Sequence, residues 1–258
     1  MKFPIDTVHS VDKALSILEA LSRVDSIGIS ELNRELGFGK GTIYRLITTL
    51  RIHGYVEQTE TQKYRMSLKL FEMGNKVVNR LGIRKVANPY LEQIAIATNE
   101  TVNLAVLDGI EVIYIDRIES LEPLRIGLEV GTRFPAYCTG LGRTLLASCD
   151  PVKMQSLLLQ IENKGQMIQH TKQTLTDLEA LEKQLQIIRK QGYCFDDEEY
   201  IPGIRCLSAP IFNYTGKVVA AISIAGPTVR LTNDVISNFI IILKTNAKNI
   251  SNRLGYDR

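Results

Sequence analysis

The stretch from Ile27 to Arg65, IGISELNRELGFGKGTIYRLITTLRIHGYVEQTETQKYR, constrains the fold more than any other part of the chain. Ile29, Leu32 and Leu36 recur at i, i+3 and i+7, and Ile43, Leu46, Ile47 and Leu50 at i, i+3, i+4 and i+7. This spacing predicts two amphipathic helices, each turning one apolar face inward. Ser30 suits the N-cap of the first helix, and Gly37 suits a bend that a residue with a Cβ would resist. Together they spell a helix-turn-helix.

The second helix then leaves Lys40, Thr42, Tyr44, Arg45, Thr48 and Thr49 outside. Taken alone, such a face fits an ordinary solvated helical hairpin as well as a DNA groove. It has groove chemistry, because arginine can fork onto a guanine edge and threonine offers both a hydroxyl and a methyl. The next segment favours DNA. Gly54-Tyr55-Val56 ends the helix and starts a strand, and the polar turn between Val56 and Met66 carries Lys63 and Arg65, as a wing lying on phosphates would. The expected contacts with a double-stranded DNA operator are Ser30, Lys40, Thr42, Tyr44, Arg45, Thr49, Lys63 and Arg65.

Charge agrees with this placement. Residues 1–82 hold 12 Lys+Arg against 9 Asp+Glu, and residues 83–258 hold 19 of each, so the whole excess of +3 lies with the helix-turn-helix. Ahead of the motif, SVDKALSILEALS places Val11, Ala14, Leu15, Leu18 and Leu21 on one helical face, with Ser10 as its cap. Behind it, SLKLFEMGNKVVNRLG puts Leu70, Gly74, Val77 and Leu81 on one stripe, with Phe71 and Val78 beside it. A helix of this length is marginal alone, so the stripe calls for a partner. The expected division is a DNA-binding domain over 1–67, a linker helix over 68–82 and a third segment over 83–258.

That third segment reads as mixed α and β. TVNLAVLDGIEVIYIDRI is two alternating strands around Asp108-Gly109, a two-residue hairpin signal. RKVANPYLEQIAIATN, TGLGRTLLAS, PVKMQSLLLQ and TLTDLEALEKQLQIIRKQG read as helices. YCFDDEEY leads through Pro202-Gly203 to the strands IRCLSAPIF and KVVAAISIAGP, and a helix closes the chain. Hairpins flanked by helices imply a largely antiparallel sheet, hence an α+β protein. No apolar run approaches the roughly 20 residues that span a bilayer, and MKFPIDTVHS lacks the apolar core of a secretion signal. A cytoplasmic protein with no membrane partner is expected. Its four cysteines, with no CxxC, and three scattered histidines suggest neither a metal site nor any other cofactor.

Several of these segments resemble the IclR family of bacterial transcription regulators. VDKALSILEAL, ISELNRELG and GTIYRLITTLRIHGYV carry the likeness in the first part, and TGLGRTLLA, GYCFDDEEYIPGIRCLSAPIF and AAISIAGP in the second. The resemblance implies a winged helix-turn-helix, a linker helix and a C-terminal GAF-like α/β effector-binding domain. It also implies homodimers, often paired into homotetramers, on near-palindromic operators. Asn33 stands where the family usually has Ala, Gly39-Lys40-Gly41 where it has Ser-Lys-Ser, and Cys138 where it often has His. Two hydroxyls that could meet phosphates at the helix start are thereby lost.

Thr139-Gly140-Leu141-Gly142 sits at a helix start, where free amides and small residues suit an anion. By themselves the two glycines fit helix packing equally well, and Asp196, in the acidic run 196–199, fits a solvated acid. The resemblance carries the effector to Gly140, Leu141, Asp196, Ile204, Cys206 and Ser223, beside Thr139. On this reading the amides take the carboxylate of a small organic acid (a sugar, keto or aromatic acid), while Asp196 accepts from a ligand hydroxyl. Ala225 replaces a serine found in some relatives. The expected function is a repressor, not an enzyme, with the effector altering operator affinity. The alternative is a thiol-based redox sensor or thiol-dependent reductase, since GAF-like folds host thiol chemistry and Cys138, Cys194 and Cys206 fall in these segments.

Overall fold

A computed structural model of the 258-residue chain describes residues 7–80, 82–165 and 167–256, with side chains described except at 75 and 77–80. The chain divides into two compact units, Met1–Arg80 and Leu81–Arg258.

The first unit holds α1 (His9–Leu21), α2 (Ile29–Leu36), α3 (Lys40–Ile52), the strands β1 (Val56–Gln58) and β2 (Tyr64–Met66), and α4 (Leu68–Arg80). Ile17, Leu21, Leu32, Ile43, Ile47, Val56 and Tyr64 form its core. Gly37 takes φ 70° at the end of α2, the left-handed backbone the bend requires. Two expected caps are displaced. Gly28 rather than Ser30 caps α2, in a box where the Gly28 N–H donates to Glu31 Oε2 at 2.7 Å, so Ser30 lies exposed in the first turn. Likewise α1 starts at His9 with Val8 as its cap, placing Ser10 inside the helix.

The inward face of α1 also differs from expectation. Ile17, Ala20 and Leu21 are buried, whereas Val11 and Leu15 are each 53% exposed. Apolar residues run nearly all round this helix, so periodicity alone could not select the stripe that meets Leu32 and Ile43. Along α4, Leu68, Phe71 and Met73 are exposed, Leu70 is half-buried and Gly74 open; the side chain of Val77, and Leu81 altogether, lie outside the described residues.

The second unit contains one six-stranded antiparallel sheet in the order β5-β4-β3-β8-β7-β6. After α5 (Ile83–Thr98) come β3 (Thr101–Asp108) and β4 (Glu111–Ile118), turned at Gly109, then β5 (Arg133–Pro135). The helices α6 (Gly140–Ser148), α7 (Pro151–Asn163) and α8 (Leu178–Gln191) follow. Then come β6 (Cys194–Asp197), β7 (Ile204–Phe212), β8 (Val218–Pro227) and α9 (Asn233–Arg253). Helices α5 and α9 pack together on the sheet, while α6 covers strands β3, β7 and β8 and carries α7 and α8 in its own core. The architecture is the expected winged helix-turn-helix followed by an α/β domain with a sheet. Strands β5 and β6 were not anticipated. Both are short edge strands, and Asp196-Asp197 in β6 reads as loop chemistry.

Register puts the chemistry on one face. Asn103 pairs with Ser223, and Ser223 with Ser208, which pairs with Cys194. The neighbouring row runs Thr101, Ala225, Cys206, Asp196. Side chains alternate along a strand, so these two rows share the face on which α6 lies.

Candidate functional site

Helix α3 presents one polar face. Its N-cap is Gly39, and with Ile43 and Ile47 buried, Lys40, Thr42, Tyr44, Arg45 and Thr49 are exposed. Thr49 Oγ1 donates to the Arg45 carbonyl at 3.0 Å, while the Arg45 guanidinium has no side-chain partner among the described residues. The wing is tied to this helix by Arg51 Nη1, which donates to Gln58 Oε1 at 2.7 Å. Lys63 lies 3.3 Å from Glu31 and Arg65 2.6 Å from Glu57. The Gly28 amide first, and Lys63 second, hold the Glu31 carboxyl below its ordinary pKa. Surface pairs of this kind are worth little and exchange readily for phosphates. Ser30 and Arg65 are likewise exposed, and Lys63 half-buried, all in this first unit.

The second unit has a pocket half open to solvent, with about 50 Å³ of interior space, between the α6 N-terminus, the sheet and the segments 126–134 and 200–204. Its apolar walls include Ile126, Leu128, Ile201 and Ile204. Tyr114, Phe134 and Tyr200 make an aromatic side, with ring centroids 5.4 and 5.2 Å apart in edge-to-face pairs. Its polar floor is Asn103, Thr139, Gly140, Asp196 and Cys206. None of the lining residues is a cation.

Of the residues expected here, Thr139, Gly140, Asp196, Ile204 and Cys206 line this cavity. Leu141 does not; it is buried in the core beneath α6. Ser223 is fully buried behind the wall, accepting a hydrogen bond from Asn103 Nδ2 at 3.2 Å. Gly140 approaches the sheet closely enough that a Cβ would meet Asp196 Cβ, Cys206 Sγ and Ser208 Oγ at 3.2–3.3 Å.

The anion site at the α6 N-terminus is partly used by the chain itself. Asp196 Oδ2 accepts from the Gly140 N–H at 2.9 Å, its Oδ1 from the Glu199 N–H at 3.0 Å, and Thr139 Oγ1 accepts from the Gly142 N–H at 3.3 Å. Within that first turn, the Leu141 amide is left without an acceptor among the described residues. Asp196 is therefore a fixed, buried acid and not a solvated one. Burial raises its pKa, and the Arg143 guanidinium and the two amides pull it back.

Sequence reasoning missed what lies behind Asp196. Arg143, on α6, is 0% exposed and donates through Nη2 to Glu199 Oε1 at 2.6 Å. One guanidinium thus serves two buried carboxylates, and burial pushes Glu199 up to about 7. The aromatic side and Asn103 were missed as well. The available signal was an asparagine inside the otherwise apolar TVNLAVL strand.

The thiols argue against redox chemistry. The four cysteines are free, and burial is the first cause raising each thiol, to about 12 at Cys138 and Cys194, so the reactive thiolate is suppressed.

A winged helix-turn-helix with an exposed polar face on α3, followed by an α/β unit with a pocket, is the architecture of a ligand-responsive transcription regulator. Residues 75–252 match the family described as bacterial transcriptional regulator IclR C-terminal, and residues 10–60 match the IclR helix-turn-helix domain. The chain belongs to the IclR family. It is 37% identical over 252 residues to the HTH-type transcriptional regulator KdgR of Dickeya chrysanthemi, spanning 97% of this chain and 81% of that one. It is 32% identical over 249 residues to the HTH-type transcriptional repressor AllR of Salmonella typhimurium, spanning 96% and 90%. The Thermotoga maritima IclR crystal structure superposes with a TM-score of 0.83 at 30% identity, over 96% of this chain and 99% of that one. The thiol alternative finds no support among these relatives, which belong to a family of regulators and not of enzymes.

Proposed function

We propose that this regulator is a repressor whose operator affinity is set by a small organic acid held in the cavity of the second unit. The carrying observation is that pocket: half open, aromatic on one side, polar on its floor and next to a helix N-terminus with an amide to spare. A sugar, keto or aromatic acid suits its lining, with the carboxylate meeting the α6 terminus and a hydroxyl reaching Asp196. Coupling is reciprocal, so the effector weakens operator binding by the same factor by which operator weakens effector binding. Among the described residues no helix is long and apolar enough to cross a membrane, and a cytoplasmic setting is part of this proposal because it rests on binding DNA.

Operator reading is assigned to α3 and backbone contact to the wing. Arg45→Ala should cost about 1–3 kcal/mol at the operator and relax its sequence preference. Lys63→Ala should weaken all DNA alike and reduce the salt slope by about 1. Fluorescence anisotropy against operator and scrambled duplexes at several salt concentrations checks both. An Arg45→Ala protein that reads its operator like the parent would sink the assignment.

Two half-sites need two reading heads, and the apolar groups left open on α1 and α4 suit a second copy. Sedimentation should give a homodimer or homotetramer at micromolar concentration. Phe71→Glu, on the exposed side of α4, should shift the equilibrium toward monomer and weaken operator binding at least tenfold; an unchanged assembly state counts against this surface.

A further inference from the structure

The cavity floor has more acceptors than donors. Asn103 is 1% exposed and stands on the cavity wall, and its Oδ1 has no donor among the described residues. Its Nδ2 donates to Ser223 Oγ at 3.2 Å, which leaves Oδ1 as the free end. Asp196, three pairing steps across the sheet and in the neighbouring row, is an acceptor too. A buried carbonyl oxygen without a donor is costly, and its retention in an otherwise apolar strand requires a compensating partner.

We infer that Asn103 is an effector-contacting residue, and that it selects a hydroxylated acid whose O–H groups donate to Asn103 Oδ1 and Asp196. This inference rests on the small-acid reading and narrows it. A keto acid without hydroxyls brings only acceptors to a floor that already has them, and leaves Asn103 Oδ1 without a donor. A site built to accept from a hydroxyl discriminates strongly against the analogue lacking it, whereas an apolar wall discriminates weakly. The rings of Tyr114, Phe134 and Tyr200 offer a flat surface for the C–H side of such a ligand, leaving the polar floor to read its hydroxyls.

The test uses the full-length chain and a panel of acids at one pH. It comprises C4 to C7 polyhydroxy acids such as D-gluconate, their unhydroxylated counterparts such as hexanoate, pyruvate as the keto acid, and 4-hydroxybenzoate against benzoate. Thermal shift ranks the panel and calorimetry measures affinity. The expected result is that hydroxylated members bind at least tenfold tighter than their counterparts, and that Asn103→Leu removes this preference. Ligand-free Asn103→Leu should melt within a few degrees of the parent or above it, because the orphaned oxygen is gone; a residue kept for structure would instead lower the melting point sharply. Asn103→Ser, which restores an acceptor, should recover part of the preference. Equal binding of hydroxylated and unhydroxylated acids, or an Asn103→Leu protein with the parent's preference, overturns the inference while the small-acid reading stands. A panel in which no acid of either kind binds overturns both.

Discussion

Gly142→Ala should leave the second unit unable to fold. A Cβ at this position would lie 2.3 Å from the Ala136 carbonyl oxygen, 2.4 Å from its Cα and 2.7 Å from its carbonyl carbon. All three are backbone atoms, so no side chain can swing aside. Relief would require α6 to shift away from the segment that leads into it. That shift would pull the Gly140 amide off Asp196 and Thr144 off Ser208, whose hydroxyls are 2.7 Å apart. Overpacking against a fixed backbone belongs to the severe end of single substitutions, here more than about 3 kcal/mol. Gly41→Ala is the control, since nothing lies within 4 Å of its added methyl. It should be neutral or stabilise α3 by up to about 1 kcal/mol. Chemical denaturation followed by near-ultraviolet circular dichroism reads both variants. A Gly142→Ala protein with the parent's cooperative transition would show that the approach of α6 to Ala136 is not fixed.

Arg143→Met should cost about 3–5 kcal/mol, because it leaves Glu199 without its cation in a buried site. Asp196 loses the same stabilising charge. The loss depends on pH in a defined sense. Burial raises the Glu199 pKa from about 4.5 to about 7. A group raised on folding contributes stability that is complete below its unfolded pKa and is lost as pH climbs through the folded value. The parent should therefore lose stability between about pH 4.5 and pH 7, and Glu199→Gln should flatten that slope. In Arg143→Met the Glu199 pKa rises further, so burying this carboxyl costs more as pH climbs and the deficit should be larger at pH 8 than at pH 5. Adding Glu199→Leu should recover much of it, since an apolar pair replaces a broken ionic one. Urea unfolding of the single and double variants at both pH values checks this, and equal deficits at pH 5 and 8 would contradict it.

What was legible in the sequence follows from which physical signals act over short range. Helices α2 and α3 and the hairpin at Gly109 are set by local periodicity and turn chemistry, and all appear as expected. The cap of α2 was misplaced by two residues. A glycine cap shows no side-chain signal, and the box depends on Glu31 reaching back to it. The inward face of α1 was ambiguous because only packing against Leu32 and Ile43 decides it. The cavity was legible only in part. Thr139, Gly140, Asp196, Ile204 and Cys206 were identified from sequence, largely through the resemblance. Asn103, Tyr114 and Phe134 come from strands about 60 residues or more before β6, and only the folded sheet brings them to the pocket that Asp196 lines.

The same sheet order sets a timetable for folding. The winged helix draws its core from within residues 17–64 and can close as soon as they are free. The central pair of the sheet joins Thr101–Ala105 to Ala221–Ala225, about 120 residues later. Long-range pairing of this kind is slow, because the intervening loop must close before the contact stabilises anything. On a ribosome elongating at about 5–20 residues per second, β3 would wait on the order of 10 seconds for β8. Through that interval Val102 and Leu104 have no neighbour on their β8 side, and the winged helix is complete before the sheet of the second unit exists.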